Sequence, residues 1–303
     1  TLRERKRALG WAFLAPSLIG VAAFLLLSLA GMFCATWGIA KKVYHSILVR
    51  TSPEKWGRAN SYPQGEEHTR MFNLGMDWGR ENAAHMRPVQ IENDGLKLAG
   101  QYFDFGADRC AIILPGRSES LYYSYFFAPP YAKAGCNVLV IDVRAHGLSE
   151  GKYNYCGTRE YSDVLAWTRF AHDALGNREI ILHGICVGGA SAVFAACRPE
   201  FPDYVACLVV EGLFSTFRES FALHMKAEHK PVFPVMNEIF WIARMESGMK
   251  VSESAPIRCI DRVKTPMLFL HGRQDAFSLP KRAQELYDKC TAPKKLVWME
   301  KGS

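Results

Sequence analysis

The sequence predicts an α/β fold with a mostly parallel sheet flanked by helices and a short helical cap, preceded by one transmembrane helix. From residue 88 onward, short apolar runs rich in β-branched residues alternate with stretches of helical periodicity, which is typical of a parallel sheet covered on both faces. Polar residues collect directly after these runs, where such sheets bind their ligands. An uncharged run near the N-terminus supplies the transmembrane helix.

That run extends from residue 8 to residue 40 and contains no charged side chain in 33 positions. A helix needs only about 20 apolar residues to cross a bilayer. With Pro16 near its start and Trp11 and Trp37 at interfacial positions, the run predicts a membrane anchor over about residues 14–38. The competing interpretation is a cleaved signal peptide, but the apolar core of such a peptide normally covers about 7–15 residues. Basic residues flank both ends, so the sequence leaves the orientation open.

The formal net charge of +7 is located in residues 1–60, which carry nine Lys and Arg against two Glu. The remaining 28 basic and 28 acidic residues balance, so the main domain offers no basic surface for a nucleic acid partner. The nine cysteines form no Cys-x-x-Cys pair and no Cys/His cluster. We therefore expect neither a metal site, nor a disulfide framework, nor a cofactor.

The apolar residues of 41–87 show no clear periodicity. This segment is predicted to be a connector between residues 1–40, the basic N-terminus with its anchor, and a main domain at residues 88–303. In that domain, residues 88–92 and 96–105 predict a β-hairpin around Asn93-Asp94-Gly95. Strands buried on both faces are predicted at 110–114, 137–143, 179–183, 204–211 and 266–271, with a last strand at 295–299. Helices are predicted at 121–134, 159–175, 190–197 and 280–290.

The most informative motif is a Gly-x-Cys-x-Gly turn between a predicted strand and a helix of small residues. Gly184 and Gly188 remove the side chains that would collide with the strand and the helix, which is the pattern of a nucleophile elbow with Cys186 at its centre. Because the positive N-terminal end of the next helix points at the sulfur, the sequence predicts a thiolate. The alternative is a packed structural thiol, since free cysteine is often a small buried hydrophobe.

Four motifs stand in chain order: LPG at 114–116, DVRAHGLSEG at 142–151, HGICVGG at 183–189 and LFLHGRQD at 268–275. Together they resemble the α/β-hydrolase superfamily over about residues 88–303, most closely the membrane-anchored Bem46 and serine-aminopeptidase-like hydrolases. The resemblance implies an α/β-hydrolase fold with a cap at about residues 217–262. It also implies that the motif histidines are structural: His146, His183 and His271.

The resemblance assigns a role to each candidate site residue. Cys186 is the implied nucleophile and Asp275 the implied triad acid, with Glu211, at the end of the preceding strand, as a reserve acid. The implied oxyanion-hole donors are the backbone N–H groups of Val187 and Arg117. In relatives the catalytic histidine follows the last strand, and no histidine follows Asp275 here, so we expect it just beyond residue 303 and the chain to be truncated before it.

A complete triad attacks an acyl carbonyl and passes through a covalent acyl-enzyme. The resemblance therefore implies hydrolysis of an ester, thioester or amide. Two alternatives stay open: acyl transfer from the same cysteine, and a non-catalytic binding module. The expected partners are an acyl-containing small molecule or lipid and a membrane, and the expected localisation is single-pass in that membrane. The apolar side chains of the cap either line the acyl site or pack the cap helices down.

Overall fold

The computed structural model describes residues 2–60 and 65–300, with side chains at 14–59 and 65–300. Within these residues one eight-stranded sheet is formed. Its strands are β1 (Met86–Asn93), β2 (Leu96–Phe103), β3 (Arg109–Leu114), β4 (Asn137–Ile141), β5 (Glu179–Ile185), β6 (Val205–Glu211), β7 (Met267–Gly272) and β8 (Lys294–Met299). Their spatial order is β1-β2-β4-β3-β5-β6-β7-β8. The first two neighbouring pairs are antiparallel and the others parallel, which confirms the predicted mostly parallel sheet.

Helices flank this sheet and supply the cap. They are α1 (Leu2–Leu48), α2 (Glu66–Glu81), α3 (Leu121–Ser124), α4 (Pro129–Lys133), α5 (Glu160–Arg169), α6 (Val187–Ala196), α7 (Phe217–Ala227), α8 (Val235–Ser247) and α9 (Pro280–Lys289). The helix predicted at 121–134 is divided into α3 and α4 by a 3₁₀ turn at Tyr125–Phe127. Because proline has no N–H to donate, the two prolines at the start of α4 favour a new helix there.

The buried strands separate two hydrophobic cores. Val138 and Val140 of β4 pack in the core that holds Tyr125, whereas Leu139 and Ile141 face the larger core with α5 and α6. This alternation follows from the period of two in a strand, and apolar residues on both faces are typical of a sheet covered by helices on both sides. The central strands are thereby fixed in position, and their carboxyl ends form one rigid edge.

Helix α1 continues to Leu48, past the predicted end of the anchor at residue 38. Its residues Ala40, Val43, Tyr44 and Leu48 are buried, and their spacing places them on one face of the helix. This face packs on the domain, while the ring of Trp37 lies 5.3 Å from that of Trp241 in α8. The predicted connector, residues 41–87, therefore contains the last turns of α1 and the whole of α2.

The apolar part of α1 is long and apolar enough to cross a membrane, as far as length and composition decide. The candidate span is Leu14–Leu48, and none of its most apolar window is buried against the rest of the molecule. The predicted cap is occupied by α7, α8 and three 3₁₀ turns that end at Arg262. It is inserted between β6 and β7, so that it follows directly on the edge where Glu211 ends its strand.

Candidate active site

Cys186 occupies a sharp turn between β5 and α6. Its φ of 50° and ψ of −106° lie outside the regions that non-glycine residues normally adopt. The turn is held from both sides, because the N–H of Cys186 donates to the Glu211 carbonyl at 2.8 Å and its own carbonyl accepts from Ala190 N–H at 3.0 Å. Such strain costs on the order of 1–3 kcal/mol and is concentrated at functional sites. The structure thus has the backbone geometry that the Gly-x-Cys-x-Gly motif predicts.

The two glycines of the motif allow this close packing. A Cβ atom at Gly184 would lie 2.4 Å from the backbone nitrogen of Gly189, and one at Gly188 would lie 2.2 Å from the carbonyl oxygen of Leu114. Real Cβ atoms do not come that close to backbone. Helix α6 can therefore approach β3 only with glycine at these positions, and this approach brings the loop after β3 beside Cys186.

A pocket of about 170 Å³ opens at Cys186. One wall is the β3–α3 loop, defined as residues 115–120, and the opposite wall is cap helix α7. Phe217, Phe221 and His224 of α7 line it, since their spacing of four and three residues places them on one helix face. Some apolar cap residues thus line the pocket, whereas Phe233 is 79% exposed outside it. Met225 and Met236 of the cap helices are instead buried in the larger hydrophobic core.

Removal from water raises the pKa of the Cys186 thiol to about 11. The positive charge of Arg117 and the N–H of Val187 oppose this increase, and the negative charges of Glu119 and Asp275 add to it. The predicted thiolate is therefore wrong for this site as the structure has it. A helix N-terminus contributes typically about 0.3–1 kcal/mol to a nearby charge, which is smaller than the cost of desolvating a buried thiolate.

Asp275 lies just after the carboxyl end of β7, and backbone N–H groups of its own loop hold its side chain. Its Oδ1 atom accepts hydrogen bonds from the N–H groups of Phe277 at 2.8 Å and Ser278 at 2.7 Å. Its Oδ2 atom lies 3.8 Å from Nε2 of His271, a nitrogen that lies 2.5 Å from the Ser278 carbonyl. The Asp275 side chain is 12% exposed, and its charge acts on both Cys186 and His224. The structure brings Asp275 to the edge that carries Cys186.

The carboxylate of Glu211 lies beside a histidine ring. Its Oε2 atom lies 3.5 Å from Nε2 of His183, whose ring is in contact with the rings of Phe127 and Tyr131. Only its backbone carbonyl takes part in the Cys186 turn, through the hydrogen bond described above. The backbone of the reserve acid therefore lies beside the turn in space, but its carboxylate is directed toward the His183 ring.

One candidate oxyanion donor directly follows Cys186, and the other lies in the wall of the pocket. Val187 is the first residue of α6, so its N–H has no acceptor within the helix. Arg117 lies in the pocket wall, and its carbonyl lies 2.6 Å from Nε2 of His146 and accepts from Nδ2 of Asn154 at 3.1 Å. On the other side of Arg117, Gly116 N–H donates to Glu119 Oε2 at 2.8 Å. The β3–α3 loop is thus fixed on both sides of the predicted donor.

Sequence reasoning missed His224, which lines the pocket from the cap. Its Nδ1 atom lies 2.9 Å from the carbonyl of Ser220, and its ring stacks on Phe277 with centroids 3.9 Å apart. Burial lowers the pKa of His224 and the charge of Arg117 lowers it further, so the ring is neutral at pH 7. The helical spacing from Phe217 and Phe221 was the available signal.

In the part of the chain that the structure describes, no group of three or more His, Cys, Asp or Glu side chains has an arrangement that could hold a metal ion. The described groups at this edge are the Cys186 thiol, the His224 ring, the Asp275 carboxylate and backbone N–H groups.

Comparisons with known proteins agree with this architecture. A family model described as the alpha/beta hydrolase fold matches residues 112–233. The esterase Pf2001 of Pyrococcus furiosus superposes with a TM-score of 0.60 at 24% identity, over 73% of this chain and 85% of the esterase. At that identity the likeness is one of fold. The chain therefore has the α/β-hydrolase fold, and its residues 112–233 match the model of that family.

Two curated relatives are similar in sequence. The uncharacterized protein YqkD of Bacillus subtilis is 28% identical over 196 residues, 63% of this chain and 63% of the relative. An uncharacterized membrane protein of Saccharomyces cerevisiae is 22% identical over 187 residues, 62% of this chain and 61% of the relative. The match thus spans a little over three-fifths of the length of each of these relatives.

Proposed function

We propose that the protein is an acyl hydrolase in which Cys186 is the nucleophile and Asp275 the triad acid, with a histidine that follows residue 303 as general base. The observation that carries this proposal is the strained backbone of Cys186, with φ of 50° on a strand-to-helix turn that opens on a pocket. The buried thiol of Cys156 also has a positive φ, of 52°, so the argument for Cys186 is the combination of this strain with a strand-to-helix turn that opens on a pocket.

Because the pKa of Cys186 is raised, the proposed reaction needs a general base. At neutral pH the sulfur carries its proton, so a histidine must accept that proton as the sulfur attacks the acyl carbon. The C–S bond forms while the carbonyl π electrons move to oxygen, and in this proposal the N–H groups of Val187 and Arg117 stabilise that oxyanion. Collapse expels the leaving group with the proton, and water then releases the acid from the thioester.

Asp275 is favoured over Glu211 as the acid. One oxygen of Asp275 is used by two backbone donors, which fixes the carboxylate, and its charge acts on Cys186. The Glu211 carboxylate instead lies beside the His183 ring. We expect Asp275→Asn to lower kcat by about a hundredfold or more, since loss of the acid disturbs the imidazole tautomer, and Glu211→Gln to change it far less.

The pocket favours a small or slender acyl group. Its volume of about 170 Å³ is below the roughly 300–1,000 Å³ typical of ligand pockets, and two phenyl rings of α7 line it. The apolar helix α1 supports a location at a membrane, with an ester or thioester of a small molecule or a lipid as substrate. The yeast relative is named as a membrane protein, which favours the same location.

The test uses the chain extended past Ser303 and a series of p-nitrophenyl esters. We expect Cys186→Ala to abolish turnover, and wild-type protein quenched during the reaction to carry an acyl mass on the Cys186 peptide. Cys34→Ala, which removes an exposed thiol of α1, is the matched control and should keep full activity. Unchanged turnover by Cys186→Ala would exclude the nucleophile, and ester binding without turnover by the wild type would favour a binding module.

Acyl transfer is the second candidate, and the sulfur nucleophile favours it. Because Cys186 would form a thioester, a more reactive acyl donor than an ester, an amine or alcohol could compete with water. Product analysis with added amine and alcohol acceptors decides between the two. If the free acid is always the product, the transfer activity is excluded.

A further inference from the structure

The segment that follows the apolar part of α1 lies along the catalytic edge of the sheet. It comprises residues 47–58 and is termed the exit segment. The helix ends within it, and Lys55 closes that end by donating from Nζ to the carbonyls of His45 and Val49, each at 2.5 Å. The exit segment then reaches the β3–α3 loop, which carries the predicted oxyanion donor Arg117, by three separate routes.

The first route is direct. Nη1 of Arg117 donates to the carbonyl of Ile47 at 3.3 Å, in the last turn of α1. The positive charge of the same guanidinium lowers the pKa of the Cys186 thiol. The end of α1 therefore helps to determine where a positive charge stands beside the nucleophile.

The second route passes through Asn154. Its backbone N–H donates to the carbonyl of Leu48 at 3.0 Å, and its side-chain Nδ2 donates to the carbonyl of Arg117 at 3.1 Å. Val49 pairs with Tyr153 in an antiparallel bridge, and Arg50 N–H donates to the Lys152 carbonyl at 2.7 Å. A short two-stranded contact thus holds Asn154 between the exit segment and the loop.

The third route passes through His146. The Trp56 ring stacks on the His146 ring, with centroids 4.5 Å apart and planes 7° from parallel, and the carbonyl of Trp56 accepts from Gly147 N–H at 2.8 Å. His146 is fully buried, and its Nε2 lies 2.6 Å from the carbonyl of Arg117. Trp56 has a φ of 56°, a strained backbone that is retained because both its ring and its carbonyl are held.

All three routes converge on one residue of the site. His146 and Asn154 hold the Arg117 carbonyl, while Glu119 N–H contacts the Gly116 carbonyl at 3.4 Å on the other side. The Arg117 N–H belongs to the same peptide unit as the Gly116 carbonyl, so the contacts on that unit and on the next one restrict the direction of the N–H. Donors that are oriented before the reaction stabilise an oxyanion without reorganisation.

We propose that the exit segment is a positioning element of the active site, in which Trp56 and Leu48, acting through His146 and Asn154, aim the Arg117 N–H and guanidinium at Cys186. This inference rests on the proposed function of Cys186. It adds that the helix proposed as a membrane anchor is also required for the geometry of the oxyanion site. Trp56 is a positioning residue and touches neither nucleophile nor substrate.

Trp56→Ala is the test, with Trp56→Phe as the conservative variant and Trp78→Ala as the matched control. The Trp78 ring packs on Phe103 at 4.7 Å, in the core beneath α2. We expect Trp56→Ala to lower kcat for a p-nitrophenyl ester about tenfold to a hundredfold with KM within about threefold, because an oxyanion donor is misplaced. Trp56→Phe keeps a stacked ring and should restore most of the loss.

A second readout does not depend on turnover. The rate at which iodoacetamide alkylates Cys186, followed by peptide mass spectrometry against pH, reports the thiol pKa. Loosening of Arg117 should move that profile to higher pH in Trp56→Ala and leave it unmoved in Trp78→Ala.

Two results would overturn the proposal. One is an equal loss of kcat in Trp56→Ala and Trp78→Ala, which would mean a structural role only. The other is an alkylation profile in Trp56→Ala that coincides with the wild type. If the wild-type protein turns over no ester, the proposed function fails by itself, and the alkylation profile still decides whether the exit segment positions Arg117.

Discussion

Cys186 combines a strained backbone with a protonated, desolvated thiol. The strain is maintained by close packing around Gly184 and Gly188, and the thiol is kept neutral by its low-dielectric surroundings. The backbone therefore fixes the position of the sulfur while the thiol stays protonated. Under the proposed function, such a thiol needs a base within reach when it attacks.

The charge state of Cys186 gives a prediction about pH. In the 303-residue chain we expect the rate of Cys186 alkylation by iodoacetamide to rise about tenfold per pH unit from pH 7 to about pH 10, since only the thiolate reacts and the pKa is about 11. Mass spectrometry of the Cys186 peptide measures the rate. Free N-acetylcysteine is the reference and should level off about two pH units earlier. A plateau for Cys186 below pH 8 would contradict the prediction.

A second prediction concerns the pocket wall. Phe221 is buried and lines the pocket from α7, so Phe221→Ala should enlarge the space beside Cys186 and shift preference toward longer acyl chains. We expect kcat/KM for long esters to rise relative to short ones by about tenfold, the size typical of a change in hydrophobic pocket contacts. Phe233→Ala, at a ring that is 79% exposed, is the control. An unchanged chain-length profile in Phe221→Ala would remove Phe221 from the acyl site.

At the scale of single residues, the sequence predicts the turn but not its surroundings. The glycine spacing around Cys186 is a local signal, because steric exclusion acts between neighbours in the chain. The stacking of Trp56 on His146 joins residues that are distant along the chain, and the desolvation of Cys186 depends on the cap. Neither the stacking nor the desolvation can be predicted from the five residues of the Gly-x-Cys-x-Gly motif. The predicted thiolate is wrong for this reason.

At the scale of elements, α1 has two parts with different surroundings. Its uncharged part, residues 8–40, is followed by last turns that bury only the face with Ala40, Val43, Tyr44 and Leu48. The change of pattern is present in the sequence, because Lys41 and Lys42 are exposed between buried positions. A spacing of three and four residues across the predicted boundary could have shown that the helix continues.

This packing gives a prediction for stability. Tyr44 is 1% exposed, so Tyr44→Ala should lower the free energy of unfolding by about 3 kcal/mol, the cost of emptying a large core site. Chemical denaturation in detergent micelles measures the loss. Lys42→Ala, on the exposed face of the same helix, should change the value by less than about 0.5 kcal/mol. Equal effects of the two changes would mean that α1 does not dock as described.

At the scale of the whole molecule, one continuous helix joins the apolar N-terminal part to the catalytic edge. Thr36 donates to Glu238 of α8 at 2.7 Å, and His45 lies 3.2 Å from Glu246 of the same helix. The cap and the end of α1 are therefore packed as one body. The pocket at Cys186 lies between the β3–α3 loop and cap helix α7. This helix contacts α8 through the rings of Phe221 and Phe240, and α8 in turn contacts α1.

The membrane location is tested on the whole chain. We expect the full chain to remain in the membrane pellet after an alkaline carbonate wash, because an apolar helix of this length partitions into lipid. A chain that lacks residues 1–38 should keep the packed turns of α1 and appear in the supernatant. Release of the full chain by carbonate would show a peripheral protein.

The overall fold is the part that the sequence predicts best. Alternating apolar runs and helical stretches are sufficient for a mostly parallel sheet, because each run has to be buried on both faces. The placement of β3 between β4 and β5 cannot be derived from that alternation, since it depends on which strands meet in space. Ordered motifs, through resemblance to a known fold, supply it.

The order of the strands also constrains how the chain is made. From β5 to β8 the spatial order equals the chain order, so this half of the sheet can grow strand by strand as the polypeptide leaves the ribosome. β3 gains both of its neighbours only when β5 has been synthesised, because its partners β4 and β5 come later in the chain. A nascent chain arrested before residue 179 would expose one edge of the apolar run at 110–114. The nucleophile turn is thus synthesised immediately after the strand that first protects that edge from aggregation.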